Sequence, residues 1–229
     1  MECWQLTAEE WSAIALSLQV AVTATLVSLP FGIGLSYLLA RRQFWGKSLI
    51  ETFLSLPLVL PPVVTGYLLL VLLGRRGWIG STLDQWFGVH VVFTWKAAAF
   101  ASAVMAFPLM VRSLRVAFAG IDQRLELAAR TLGAGRIETF LRISLPLARR
   151  GVLAGAVLAF ARGVGEFGAT VMVAGNLPGE TQTIPLLIYT QANAPGGIEQ
   201  SVRLVVACMM IAVVALGISE SLERTTVRR

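Results

Sequence analysis

Five apolar runs, each long enough to cross a lipid bilayer, limit what this chain of 229 residues can become. Crossing the hydrocarbon takes about 20 consecutive, mostly apolar residues in a helix. At that depth every backbone N–H and C=O must find its partner within the protein, and a helix satisfies them internally. The runs lie at about 12–40, 48–73, 97–116, 152–173 and 202–222. With 56% hydrophobic and only 14% charged residues, the composition excludes a soluble domain. The expected fold class is an all-α integral membrane protein of about five transmembrane helices.

The N-terminus does not read as a cleavable signal. Glu2, Glu9 and Glu10 are acidic where a signal is basic, and the apolar run behind them is too long. Cys3 and Cys208 are too few and too far apart for a disulfide framework or a metal site.

The net charge of +6 would suit nucleic acid, but the placement of the basic residues points to a membrane and to no nucleic-acid partner. Arg41, Arg42 and Lys47 lie in the first loop, eight arginines lie between 112 and 150, and Arg224, Arg228 and Arg229 lie in the tail. The opposite side holds only Arg75, Arg76, Lys96 and Arg203. Cytoplasmic loops carry the excess of Lys and Arg. The expected orientation therefore has the N-terminus outside and the 119–149 loop and C-terminus in the cytosol.

Within that loop, Asp122 to Pro146 is a charged, helix-forming stretch. Asp122 is a good N-cap for a helix carrying Leu125, Ala128, Ala129 and Leu132. Gly133 and Gly135 supply permissive backbone for a sharp turn. On this reading Gly133→Trp blocks docking of a partner because the turn needs a small residue. A second helix would carry Ile137, Phe140, Leu141 and Ile143, with Pro146 restricting its continuation. A solvated hairpin and a docking element for a soluble subunit both fit this pattern.

Ala128-Ala129, Gly133 and Ile143-Ser144-Leu145-Pro146 resemble the signature E-A-A-x3-G-x9-I-x-L-P of ABC importer membrane subunits. Leu127 stands where that pattern has its glutamate, and Glu126 sits one position earlier. Neighbours on a helix point about 100° apart, so the departure puts Glu126 on a different side. The resemblance implies a type I ABC importer permease domain over 1–229. It also implies that Glu126, Ala128, Ala129, Gly133, Ile143, Leu145 and Pro146 form the loop that couples to a cytosolic ATPase.

Two spans carry polar or irregular features. The second reads SLPLVLPPVVTG, with Pro57, Pro61 and Pro62 removing backbone donors from the carbonyls near Phe53, Pro57 and Leu58. It is either a packing kink or a jointed helix that lines a path; Pro30 and Pro108 raise the same question in the first and third spans. The fourth span holds Arg162 and Glu166, four apart and so on one helical face. A charge at the bilayer centre costs about 2.5–3.5 kcal/mol on insertion scales, so both should face protein or water. They form a structural ion pair, or Arg162 and the Thr170 hydroxyl help an oxyanion through while Glu166 keeps it from being trapped. Ser28, Thr65 and Thr170 are hydroxyl donors for weak contacts along such a path.

Gly165 to Gln191, GEFGATVMVAGNLPGETQTIPLLIYTQ, is similar to the molybdate ABC transporter permeases, as are Pro57 to Leu70 and Gly74 to Gly80. Sulfate and thiosulfate permeases share Gly165 to Ala169 but not the Thr181-Gln182-Thr183-Ile184-Pro185 continuation. This resemblance implies a second copy of the chain, two cytosolic ABC ATPase subunits and an external or periplasmic molybdate-binding protein, in the cytoplasmic membrane. Some members of the wider family have six spans; five are read here. Trp78, Trp86 and Trp95 in the outer loop suit contact with membrane lipid at the interface. Arg75 and Arg76 suit either lipid head groups or an acidic face of an external partner.

No energy source or cofactor site is legible. Gly46-Lys47-Ser48 ends like a phosphate loop, but Arg41 replaces the first glycine of G-x4-G-K-[ST] and no strand precedes it. An intramembrane enzyme would need a catalytic constellation, and the lone His90 sits in an external loop. Neither catalytic nor metal-ligating residues are expected. A passive anion channel would account for Arg162 and the prolines and leave the 122–146 signature without purpose. A purely structural assembly subunit fits the intramembrane charges less well.

Overall fold

The computed structural model describes residues 6–88 and 90–227, except for the side chains of 83, 87 and 223–227. Of the residues named above, Glu2, Cys3, Arg228 and Arg229 lie outside the described residues, and the Arg224 side chain is among those excepted. No strand occurs among the described residues. The helices are α1 Ala8–Arg41, α2 Lys47–Val59, α3 Pro62–Leu73, α4 Trp78–Phe87, α5 Trp95–Ala119, α6 Gln123–Thr131, α7 Arg136–Thr139, α8 Leu145–Val164, α9 Gly168–Ala174, α10 Ile184–Ala192 and α11 Gly197–Val227. Among the described residues, five helical stretches are long and apolar enough to cross a membrane.

The bundle is built around α5. Its alanine-rich first half buries Ala97, Ala98, Ala101 and Met105 against α1, α3 and α9, and its second half buries Met110, Leu114 and Phe118 against α1 and α8. Lipid tails are as apolar as leucine, so helices in a membrane associate through close packing and buried polar contacts rather than through the hydrophobic effect. Small residues accordingly face α5: Gly151 and Gly155 of α8 lie against Ala117 and Leu114. Ser36 of α1 donates to the Val111 carbonyl at 3.1 Å, and Ser28 turns back to the Ala24 carbonyl at 2.6 Å.

Two expected spans are each divided. The run 48–73 is not one bent helix but α2 and α3, separated at Leu60 and Pro61. Pro30, Pro57 and Pro108 are held inside continuous helices. Two consecutive prolines remove two successive donors, and the residue before a proline is driven out of the α region. Leu60 accordingly sits at ψ 143°, and α3 restarts with Pro62 in its first turn, where an N–H is not needed. The run 152–173 likewise ends its helix at Val164 and resumes as the short α9 after Gly165, Glu166 and Phe167. At its other end the helix begins earlier than expected. Helical structure runs unbroken from Arg136 to Val164 through a π turn at Phe140–Ser144, in which the Leu145 N–H bonds to the Phe140 carbonyl. The wide turn places Pro146 at the start of α8, so it does not stop the chain.

The outer segments are pinned by polar contacts of long sequence separation. Thr7 caps α1 in a reciprocal box with Glu10. Glu10, fully buried, also pairs with Arg203 of α11 at 3.1 Å. The Ile184 N–H, at the start of α10, donates to the Ser17 hydroxyl of α1 at 2.7 Å. Both α4 and α10 are additional to the sequence reading: α4 exposes Trp78 and Trp86, while α10 buries Ile184, Leu186 and Leu187.

Candidate functional site

At the end of the bundle formed by the C-termini of α1 and α5, the 122–146 stretch folds as two helices at an angle. The Asp122 carboxylate caps α6 by accepting from the Arg124 N–H at 2.9 Å. The helix ends with Gly133 at φ +92°. There the Ala134 N–H bonds to the Ala129 carbonyl and the Gly133 N–H to the Arg130 carbonyl, both at 3.1 Å. These two bonds are the paired closure that a left-handed residue after a helix permits. Nothing lies within 4 Å of a methyl placed on Gly133, so the position requires conformation rather than small size, a correction to the sequence reading.

The signature residues divide between two faces. Ala128, Gly133 and Pro146 are exposed, while Ala129, Ile143 and Leu145 are half-buried. Leu127, Leu132, Ile137 and Leu141 form an exposed apolar strip beside Arg130, Arg136 and Arg142. Leu127, in the place of the signature glutamate, is therefore on the open side. Glu126 is turned inward: its Oε1 accepts from Arg41 Nε at 3.0 Å, Arg41 Nη2 at 2.9 Å and Ser144 Oγ at 2.7 Å. Beside it Tyr37, Phe118 and Phe140 pack edge-on or tilted, with ring centroids 4.8–6.2 Å apart. Neither Arg41 nor Ser144 was legible as a partner of Glu126, because they lie 85 and 18 positions away in the chain.

The second cluster lies where the two helix breaks meet. A methyl on Gly168 would stand 2.8 Å from the Pro62 Cβ, so the start of α9 abuts the start of α3. Arg162 and Glu166 do not share one helix as the spacing implied, since α8 has ended between them, yet they still pair at 2.7 Å. The other Glu166 oxygen accepts from the Ala169 N–H at 2.9 Å and so caps α9. Glu166 is buried, whereas the Arg162 side chain retains 31% of its exposure. Thr65 and Thr170 are buried on the facing helices α3 and α9, next to the Gly66–Ala169 contact. The Thr65 hydroxyl oxygen is buried without a hydrogen-bond partner. The structure thus brings the four expected residues to one junction. Ser28 stands apart on α1, bonded within its own helix.

Comparisons with known proteins agree with this architecture. The chain is 54% identical over 224 residues to the molybdenum transport system permease protein ModB of Escherichia coli K12, covering 98% of both chains. It is 36% identical over 199 residues to the sulfate transport system permease protein CysW of Synechococcus elongatus, covering 82% of this chain and 69% of the other. In fold it matches a bacterial ABC transporter involved in the import of alginate, with a TM-score of 0.69 at 19% identity over 97% of this chain and 80% of that one. Residues 29–224 match the family model of binding-protein-dependent transport system inner membrane components, and the chain belongs to that family.

Proposed function

We propose that this chain is the membrane-spanning permease subunit of an ATP-driven importer of molybdate, and of the chemically similar tungstate. The observation that carries the reading is the 54% identity, over nearly the full length of both chains, to a molybdenum permease, against 36% over a smaller share for a sulfate permease. A tetrahedral dianion cannot enter hydrocarbon, because a bare charge there costs tens of kcal/mol. It needs a protein-lined path.

One copy offers little enclosure: α2 buries none of its residues, and much of α11 is open. Two copies around a shared two-fold axis supply the missing wall. The apolar, arginine-flanked strip on α6 and α7 suits a groove on a cytosolic ATPase, one for each copy. The opposite end faces outside, where a molybdate-binding protein delivers the ion.

The junction of α3 with α9 is the proposed path wall. Arg162 is the partly exposed member of that junction, and Glu166 keeps it from becoming an anion trap; Thr65 and Thr170 are buried here, so their hydroxyls meet the ion only when α3 and α9 move apart. Contacts in a path must be weak enough to release the ion, so selectivity resides mainly in the external protein. ATPase activity of the reconstituted complex tests the reading, with the binding protein loaded in turn with molybdate, tungstate or sulfate. Stimulation by molybdate and tungstate alone is expected. Stimulation by sulfate would move the substrate, and uptake without any ATPase would favour a passive channel.

A further inference from the structure

The Arg41–Glu126–Ser144 cluster has no place in the signature of the loop, and the loop's exposed strip does not include it. It lies where three elements converge: the last turn of α1, the first turn of α6 and the π turn that opens α8. One oxygen, Glu126 Oε1, takes donors from Arg41 and Ser144, while Arg41 Nη2 also donates to the Ile121 carbonyl at 3.1 Å. The Arg41 side chain is 7% exposed and that of Glu126 is 14% exposed. An ion pair shielded in this way is much less screened than a surface one, and a planar guanidinium spanning two acceptors fixes orientation as well as distance. The Arg142–Glu138 pair on the same loop is, by contrast, open to water.

We propose that Arg41 and Glu126 are positioning residues for energy coupling. They clamp α6 to the end of α1 and to the start of α8, so that these three elements move as one body when the loop is pushed. The inference rests on reading 122–146 as the ATPase-docking loop. It adds that the carboxylate nearest the signature position works toward the membrane helices, leaving the docking face apolar at Leu127. The aromatic contact of Tyr37 with Phe118 and Phe140 extends the clamp to α5. Motion of the loop is then delivered to α1, α5 and α8 together, and the relative movement falls on the divided helices α2–α3 and α8–α9.

The test uses the full complex with ATPase and binding protein, carrying Glu126→Gln, Arg41→Gln or the conservative Arg41→Lys. Expected is a fall of five-fold or more in molybdate imported per ATP hydrolysed for the two neutral variants, at normal subunit stoichiometry, with Arg41→Lys, which keeps the charge but not the fork that spans Glu126 and the Ile121 carbonyl, falling between them and the parent. Unchanged import per ATP in the assembled neutral variants overturns the proposal.

Should those variants assemble poorly, Ser144→Ala and a spin-label distance keep it decidable. Labels at the exposed positions 42 and 130, in a background with Cys3→Ser and Cys208→Ser, report the α1–α6 separation. That distance is expected to stay single and unchanged between nucleotide-free and ATP-bound states of the parent, and to broaden in Ser144→Ala. A distance that shifts with nucleotide in the parent refutes the clamp. Failure of the importer reading shows differently, as a parent complex whose ATPase ignores loaded binding protein while the label distance remains fixed.

Discussion

Gly66 of α3 lies so close to Ala169 of α9 that a methyl on Gly66 would stand 2.8 Å from the Ala169 Cα. The obstacle is backbone, which cannot rotate away as a side-chain tip would. Gly66→Val therefore pries apart the two half-helices at the proposed path, at a cost of about 1–3 kcal/mol for overpacking. Thermal unfolding in detergent should show a lower midpoint for Gly66→Val. Gly34→Ala, where nothing lies within 4 Å, should show none. Equal stability of both variants would contradict the close crossing.

Gly133 asks for conformation and not for room. Forcing an L residue with a Cβ into the left-handed region costs roughly 1–2 kcal/mol, and Asn tolerates it better than Ala. Copurification of the ATPase should thus fall in the order Gly133, Asn, Ala. A Gly133→Ala complex recovered as fully as the parent would count against the turn's role in docking.

The Arg162–Glu166 pair predicts unequal single variants. Arg162→Gln leaves a buried carboxylate that keeps the Ala169 N–H bond but loses its cation, at a cost of about 1–3 kcal/mol given that Arg162 keeps partial access to solvent. Arg162→Gln together with Glu166→Gln removes both charges and should recover most of that stability. If the double variant assembles normally but imports poorly, the pair serves transport. If it assembles and imports normally, neither a structural nor a transport role survives.

Glu10 is the most deeply buried acid in the described part, and Arg203 is its ionic partner across the outer ends of α1 and α11. Arg203→Met removes one charge and leaves the other in place, which typically costs about 3–5 kcal/mol for a buried pair. Yield after detergent extraction should drop sharply. Pairing the change with Glu10→Gln should restore much of it, and a failure to restore would point to other contacts of Arg203.

The loop from Asp122 to Pro146 was legible because its signals are local. A capping aspartate, a glycine at the turn and an apolar stripe each act within a few residues, and the structure places α6, the turn and α7 where they indicate. Proline spacing foretold irregularity in the second span but not its form. Pro57 stays helical while Pro61-Pro62 breaks the chain, since one missing donor can be absorbed and two in succession leave the preceding residue extended. The short helix α4 is not legible in the sequence, where Trp78 and Trp86 stand eight apart among mostly polar and glycine residues.

By itself the sequence determined the membrane class, the number of apolar stretches able to cross a bilayer and the position of the turn in the 122–146 loop, but not where two of those stretches divide. Apolar length, N-cap chemistry and backbone permissiveness are properties of a short stretch of chain. Only the tertiary structure decided which way Glu126 faces, that Glu10 meets Arg203 at a separation of 193 residues, and that Ser17 receives the Ile184 N–H at 167. In a membrane nearly every helix face is apolar, so hydrophobicity does not tell one neighbour from another. The pairing is left to small-residue fit and to a few buried polar contacts, whose partners become visible only once the helices are packed.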